Sequence, residues 1–222
     1  MDRATYDQFR TLIYDLSGIS LNDNKEMLLS SRIIKRMRAL RLGDVREYLE
    51  CVLDDNTGSE VVQLIDAIST NVTHFYREPD HFEFLKRVVS EWAKKGKRRL
   101  RIWSAASSTG EEPYSIGMSV MDALQNYNID VKILATDICT RVLQKAETGI
   151  YEEASLKNVS RANIQRYFNR IETPKSAPPL YEIKPLLKNM VVFRRLNIAQ
   201  PPFPMTGPLD IVFCRNVMIY FD

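Results

Sequence analysis

A chain of 222 residues, 45% hydrophobic and 27% charged, can bury the core of one large domain or two small ones. A net charge of only +3 gives no ground for a nucleic-acid partner, and no apolar run reaches the roughly 20 residues of a membrane span. Three scattered cysteines, Cys51, Cys139 and Cys214, lack metal-ligand spacing and, with a polar start that has no signal-peptide centre, suggest reduced thiols in a cytoplasmic protein.

The first 70 residues look helical. Over residues 28–40, Ile33, Ile34, Met37 and Leu40 share one face, and Arg32, Lys35, Arg36, Arg38 and Arg41 take much of the rest. Gly43 is placed to end that helix, Asp44 to cap the next over 45–53, and Ser59 to cap a third over 60–68. Residues 69–80 are less regular. Pro79 opens a helix over 80–92, with Phe82, Phe84, Leu85, Val88 and Val89 as its apolar positions. The basic run 94–101 reads as a solvated turn.

The stretch RIWSAASSTGEEPYS, residues 101–115, organises the rest of the chain. A strand over 100–105 enters a turn of small residues, and a helix starts near Pro113. A second strand over 131–136 ends in Asp137, and a short helix over 140–146 closes at Gly149. Strand, tight turn, helix, strand and acid is how a nucleotide-like cofactor is held at one edge of a parallel sheet. Residues 154–168 suggest one or two more helices. The proline-rich ETPKSAPPL, residues 172–180, breaks that pattern, and residues 169–193 read as a small extended insertion. A second proline-rich loop precedes a buried strand over 209–214.

The turn lacks the GxGxxG of a dinucleotide site, and Glu111 and Glu112 stand where a pyrophosphate would sit. Two carboxylates there would repel phosphate but accept an ammonium and ribose hydroxyls. This points to a cofactor with a cationic end, such as S-adenosylmethionine; the alternative is that both acids complement the helix dipole. Asp137 suits a ribose diol or a helix cap. Asn216 suits a third strand-end contact or a plain turn.

Four segments carry a resemblance: TNVTHFYRE (70–78), WSAASSTGEEPYSIG (103–117), ATDI (135–138) and FCRNVMIYFD (213–222). In order and spacing they resemble the CheR family of chemotaxis receptor methyltransferases, and the resemblance covers nearly the whole chain. It implies an α/β fold: a Rossmann-like S-adenosylmethionine-dependent methyltransferase domain over 70–222 with a small β insertion over 169–193. A helical substrate-docking domain over 1–69 precedes it. The implied activity is transfer of a methyl group from S-adenosylmethionine, leaving S-adenosylhomocysteine, to glutamate side chains on the cytoplasmic helices of chemoreceptors. A non-catalytic cofactor-binding module of the same family is the alternative.

Carried over by motif, the cofactor contacts are Asn71, Thr73, Arg77, Glu112, Asp137, Asn197, Ile198, Asn216 and Val217. Arg77 and Tyr220 are implied near the reacting centre, and Arg32 and Arg36 on the substrate-docking face. No metal and no nucleic acid are implied. His74 and His81 are not expected to act as acid or base, and Cys214 is expected to be a buried thiol. Members of the family continue past FCRNVMIYFD with another helix and more strands, so a truncated sheet is expected on that side. The glycine-free, proline-rich insertion speaks against the strand-addition capture of a receptor peptide that some members perform.

Overall fold

The computed structural model describes residues 1–174 and 176–221. Lys175 of the proline-rich loop and Asp222 at the end of FCRNVMIYFD lie outside the described residues. Four helices form the first unit: α1 (Arg3–Ser17), α2 (Glu26–Leu40), α3 (Val45–Leu53) and α4 (Ser59–Ile68). Their apolar stripes meet in a core that includes Tyr6, Phe9, Ile13, Ile33, Tyr48 and Leu64. Asp2 starts α1 by accepting the Thr5 amide at 2.8 Å; that bond, with Arg46 beside it, lowers the Asp2 pKa to about 2.

The stripe of α2 is narrower than its composition suggests. Leu29, Ile33 and Met37, four residues apart, are buried, whereas Ile34 and Leu40 are exposed. Ile34 lies about 100° around the helix from Ile33, which turns it away from the core. The helix ends at Arg41 and not at Gly43: Arg41 takes φ 60° and its amide bonds the carbonyls of Met37 and Arg38. Asp44 caps α3 as expected, through the Arg46 amide at 2.6 Å. Ser59 does not cap α4. Asp55 does, accepting the amides of Glu60 at 2.6 Å and Val61 at 3.3 Å.

The second unit is a parallel sheet with helices packed on it. Strands β1 (Arg99–Ser104), β2 (Asp130–Asp137), β6 (Val191–Arg195) and β7 (Ile211–Phe213) lie in the order β6-β2-β1-β7. Helix α5 (Asp80–Lys94) precedes the sheet, α6 (Glu111–Ala123) joins β1 to β2, and α7 (Thr140–Thr148) comes after β2. The chain steps outwards from β1 to β2 to β6, then returns to place β7 on the other side of β1. That reversal puts a crevice at the carboxyl ends of the central strands. In α5, Phe82, Leu85 and Val89 are buried, but Phe84 is exposed, one turn-face away from them.

A small antiparallel sheet in the order β3-β5-β4 sits beside this one: β3 (Ile150–Glu152), β4 (Phe168–Ile171) and β5 (Leu180–Ile183). It begins earlier and ends sooner than residues 169–193. Sequence pattern does not announce β3, because three residues carry no readable period. The apolar run after Met190 becomes β6 of the main sheet, with α8 (Arg161–Tyr167) and α9 (Pro185–Lys188) on either side of the β4–β5 hairpin. Cys214 is exposed and not buried. Phe213 faces the core, so the pleat turns its neighbours Val212 and Cys214 outwards. Among the described residues, no helix is long and apolar enough to cross a membrane.

Candidate functional site

The carboxyl ends of β1, β2 and β7 open into one cavity of about 280 Å³, walled on the far side by the helical unit. The first wall is the turn after β1. Gly110 takes φ 96°, a left-handed conformation that a side chain rarely adopts. A Cβ there would also lie 2.8 Å from the Tyr151 hydroxyl and 2.9 Å from the Ala146 Cβ. The turn is therefore pressed against α7 and β3, and Tyr151 donates to the Thr109 carbonyl at 2.7 Å. Helix α6 starts at once, which brings Glu112 to the cavity.

Glu112 is nearly buried. Its Oε1 accepts the Ser104 hydroxyl at 2.7 Å and its Oε2 accepts Nη1 of Arg215 at 2.9 Å. Burial raises its pKa, opposed by those two contacts. Glu111 turns away and accepts the Thr109 hydroxyl at 2.6 Å. Only the second acid of GEEPYS thus faces the cavity.

Asp137 ends β2. Its Oδ2 accepts the Ser108 amide at 2.8 Å and its Oδ1 the Cys139 amide at 3.0 Å. Burial raises its pKa, and those amides oppose the rise. It does not cap α7. Asp66 of α4 does so from the other unit, accepting the amides of Thr140 at 2.8 Å and Arg141 at 3.1 Å and the Thr140 hydroxyl at 2.7 Å.

The segment after α4 crosses the cavity. The Asn71 carbonyl accepts the Ser108 hydroxyl at 3.1 Å, and Thr73 and His74 line the wall beside it. Arg77 also borders the cavity. It spends one N–H on the Val72 carbonyl at 2.9 Å, and its side chain is one-third exposed. Tyr76 and Glu78 flank it at φ 54° and 55°, conformations uncommon outside glycine.

Past β6, Asn197 donates to the Leu16 carbonyl at 3.0 Å and accepts the Ala199 amide at 3.0 Å, so its side chain ties this wall to α1. Ile198 lines the cavity next to it. Past β7, Asn216 (φ 53°) donates to Glu78 at 3.2 Å, and Val217 comes next. Tyr220 reaches the same cavity, with Lys25 over its ring at 5.1 Å.

All ten residues carried over for cofactor binding and catalysis therefore wall one cavity. Arg32 and Arg36 are not among them. Arg32 donates to the carbonyls of Ala67 and, at 3.0 Å, Ser69, so it closes the end of α4. Arg36 meets both oxygens of Glu60, at 3.0 and 2.6 Å. Both guanidinium groups make these bonds within the helical unit, away from the cavity.

Sequence reasoning misses Arg215 and Glu78. Arg215 sits inside FCRNV beside Asn216, which is the signal that could mark it. Ile19, Leu21, Lys25 and Leu28 of the helical unit also line the cavity, and no local pattern announces that.

Known proteins share this organisation. Residues 71–222 match the family described as CheR methyltransferase, SAM binding domain, and residues 4–69 match CheR methyltransferase, all-alpha domain. The chain belongs to the CheR family. A chemotaxis protein methyltransferase of Salmonella typhimurium is 42% identical over 219 residues, which are 99% of this chain and 74% of that protein. The Escherichia coli protein of the same description is 40% identical over the same shares. Chemotaxis protein methyltransferase 2 of Pseudomonas aeruginosa is 40% identical over 99% of this chain and 77% of its own length.

S-adenosylmethionine is accordingly the methyl donor. The cavity's donor set fits it. Each oxygen of Glu112 and Asp137 accepts one bond from the protein and keeps capacity for a second. That suits an ammonium and a ribose diol, and Arg77 retains N–H donors for a carboxylate.

Proposed function

We propose that the chain esterifies glutamate side chains on the cytoplasmic helices of chemoreceptors, as a protein-glutamate O-methyltransferase acting in the cytoplasm. Its methyltransferase character and its place in chemotaxis rest on the family and on relatives of that description. The glutamate acceptor and the receptor partner are the further steps of this proposal. We read the chain as two working units, residues 1–69 for docking and 70–222 for chemistry.

The observation that carries this reading is the pairing of two carboxyl groups deep in the cavity with a cation, Arg77, that is partly exposed and, among the described residues, keeps N–H groups to spare. S-adenosylmethionine, when bound, supplies an electrophilic methyl group on a positively charged sulfur. An acceptor glutamate has an ordinary pKa of about 4.3 and needs no general base. The neutral-pH task of the protein is to align and desolvate that carboxylate. Arg77 offers it a planar donor fork, which orients an oxygen towards the methyl group. Too tight a grip would stabilise the separated charges that transfer cancels, so a single, partly exposed arginine is the appropriate strength. Tyr220 bounds the same space and excludes water.

Docking falls to the exposed cations on α2 and at its end, Lys35, Arg38 and Arg41. Among the described residues, none of the three has a carboxylate within 4 Å. A receptor helix rich in acids would meet them by charge complementarity. The relatives described as chemotaxis protein methyltransferases support the catalytic reading over the non-catalytic module.

Incubation with methyl-labelled S-adenosylmethionine and receptor cytoplasmic fragments tests the reading. Base-labile label on receptor glutamates is expected. Label that survives base, or that appears only on nucleic acid, would overturn it.

A further inference from the structure

Arg215 lies where three segments of the cavity wall meet. Its Nη1 donates to Glu112 at 2.9 Å, its Nη2 to Glu78 at 3.0 Å and also to the carbonyl of Arg77. Its guanidinium covers the Phe82 ring at 5.5 Å from the centroid. The side chain is 11% exposed and that of Glu112 12%, so the pair is almost out of water. Its Nε is buried without a partner among the described residues.

We propose that Arg215 is a positioning residue that holds Glu112 in place as a charged acceptor for the ammonium end of the cofactor. The inference rests on reading Glu112 as that acceptor.

A lone buried carboxylate is costly and takes up a proton to avoid the cost. Arg215 supplies the opposite charge, and the Ser104 hydroxyl fixes the other oxygen. These contacts oppose the rise that burial imposes on the Glu112 pKa and so favour its charged form, with its remaining lone pairs beside the cavity. Glu78 completes the arrangement. Its hydrogen bonds from Arg215 and Asn216 lower its pKa, so it stays charged and anchors the second arm of the guanidinium. The planar fork spans both carboxylates at once, which a lysine point charge cannot do. One side chain thereby ties together the segment before α5, the start of α6 and the loop after β7.

The test is calorimetric binding of S-adenosylhomocysteine and of methylthioadenosine, which keeps the nucleoside and thioether but lacks the amino-acid part. Arg215→Ala is expected to weaken S-adenosylhomocysteine at least tenfold and methylthioadenosine less than twofold. The S-adenosylhomocysteine loss should grow between pH 8 and pH 6, as the unpaired Glu112 takes up a proton. Arg215→Lys should recover part of the affinity.

Equal losses for both ligands would reduce Arg215 to a structural role and overturn the proposal. A loss identical at pH 6 and pH 8 would mean that Arg215 meets the cofactor carboxylate directly, and would overturn the route through Glu112. Should Arg215→Ala fail to fold by circular dichroism, Arg215→Lys decides. A selective loss of severalfold supports the proposal, and unchanged or unselective binding sinks it. Glu112→Gln separates the two layers. If it leaves S-adenosylhomocysteine binding intact, the reading of Glu112 fails. If it weakens that ligand selectively while Arg215→Ala does not, only the role of Arg215 fails.

Discussion

Each half of the chain sets a largely covered arginine against carboxylate oxygens, but the two networks are built differently. In the helical unit Arg36 lays both arms on the two oxygens of Glu60, and the Tyr48 hydroxyl adds a third bond at 2.8 Å. That network closes on itself and is no part of the cavity wall. In the sheet unit Arg215 divides its arms between Glu112 and Glu78, leaves Nε without a partner among the described residues and lines the cavity. A polar network that satisfies itself holds a fold together. One with bonding capacity to spare beside a cavity is available to a ligand.

That contrast can be broken by experiment. Glu60→Ala strands Arg36 and Tyr48 and should lower the unfolding free energy by about 3 kcal/mol in urea titration. Affinity for S-adenosylhomocysteine should change less than twofold. Glu112→Gln should do the reverse: at least a tenfold loss of affinity, about 1.4 kcal/mol, with a smaller loss of stability. If the two variants behaved alike, the distinction between a structural and a ligand-facing network would collapse. Asp66→Ala removes the cap of α7 across the units, and about 1 kcal/mol of stability should go with it, read by thermal melting.

The smallest expected effect is the response to pH. Burial raises the pKa of Glu112 and Asp137. Both must be ionised to accept an ammonium or hydroxyls, so affinity should fall as pH drops through their raised values and level off above. The ligand-free fold should show the opposite slope from these groups. Their native pKa exceeds the unfolded one, so their contribution to stability is full below the ordinary carboxylate range and is lost as pH rises through the raised values. Calorimetry and urea midpoints between pH 4 and pH 8 would check both slopes.

The strands and their terminal acids are legible in the sequence because β1 and β2 are buried runs bounded by small or acidic residues, and Asp137 stands at an end of one. The motif segments then mark ten cavity residues that no local period could assemble. What escapes depends on distance. The partner of Arg36 is 24 positions away and those of Arg215 are 103 and 137 away. A cation on a helix face reads the same whether it meets water or a distant carboxylate. Ile34 and Phe84 mislead for a simpler reason: helical spacing shows that a stripe exists but not how wide it is. The run after Met190 reads as part of the insertion because five apolar-rich residues do not say which sheet they join.

The cap that Asp66 places on α7 begins three residues beyond Asp137, the end of β2, and the helical unit supplies the facing wall of the same cavity. The seam between the units and the ligand pocket are thus one surface. A molecule seated there acts as mortar as well as ligand, because its binding free energy is added to the cohesion of both units. By the reciprocity of linked equilibria, whatever strains that seam from the α2 side loosens the cofactor by the same factor that the cofactor resists the strain.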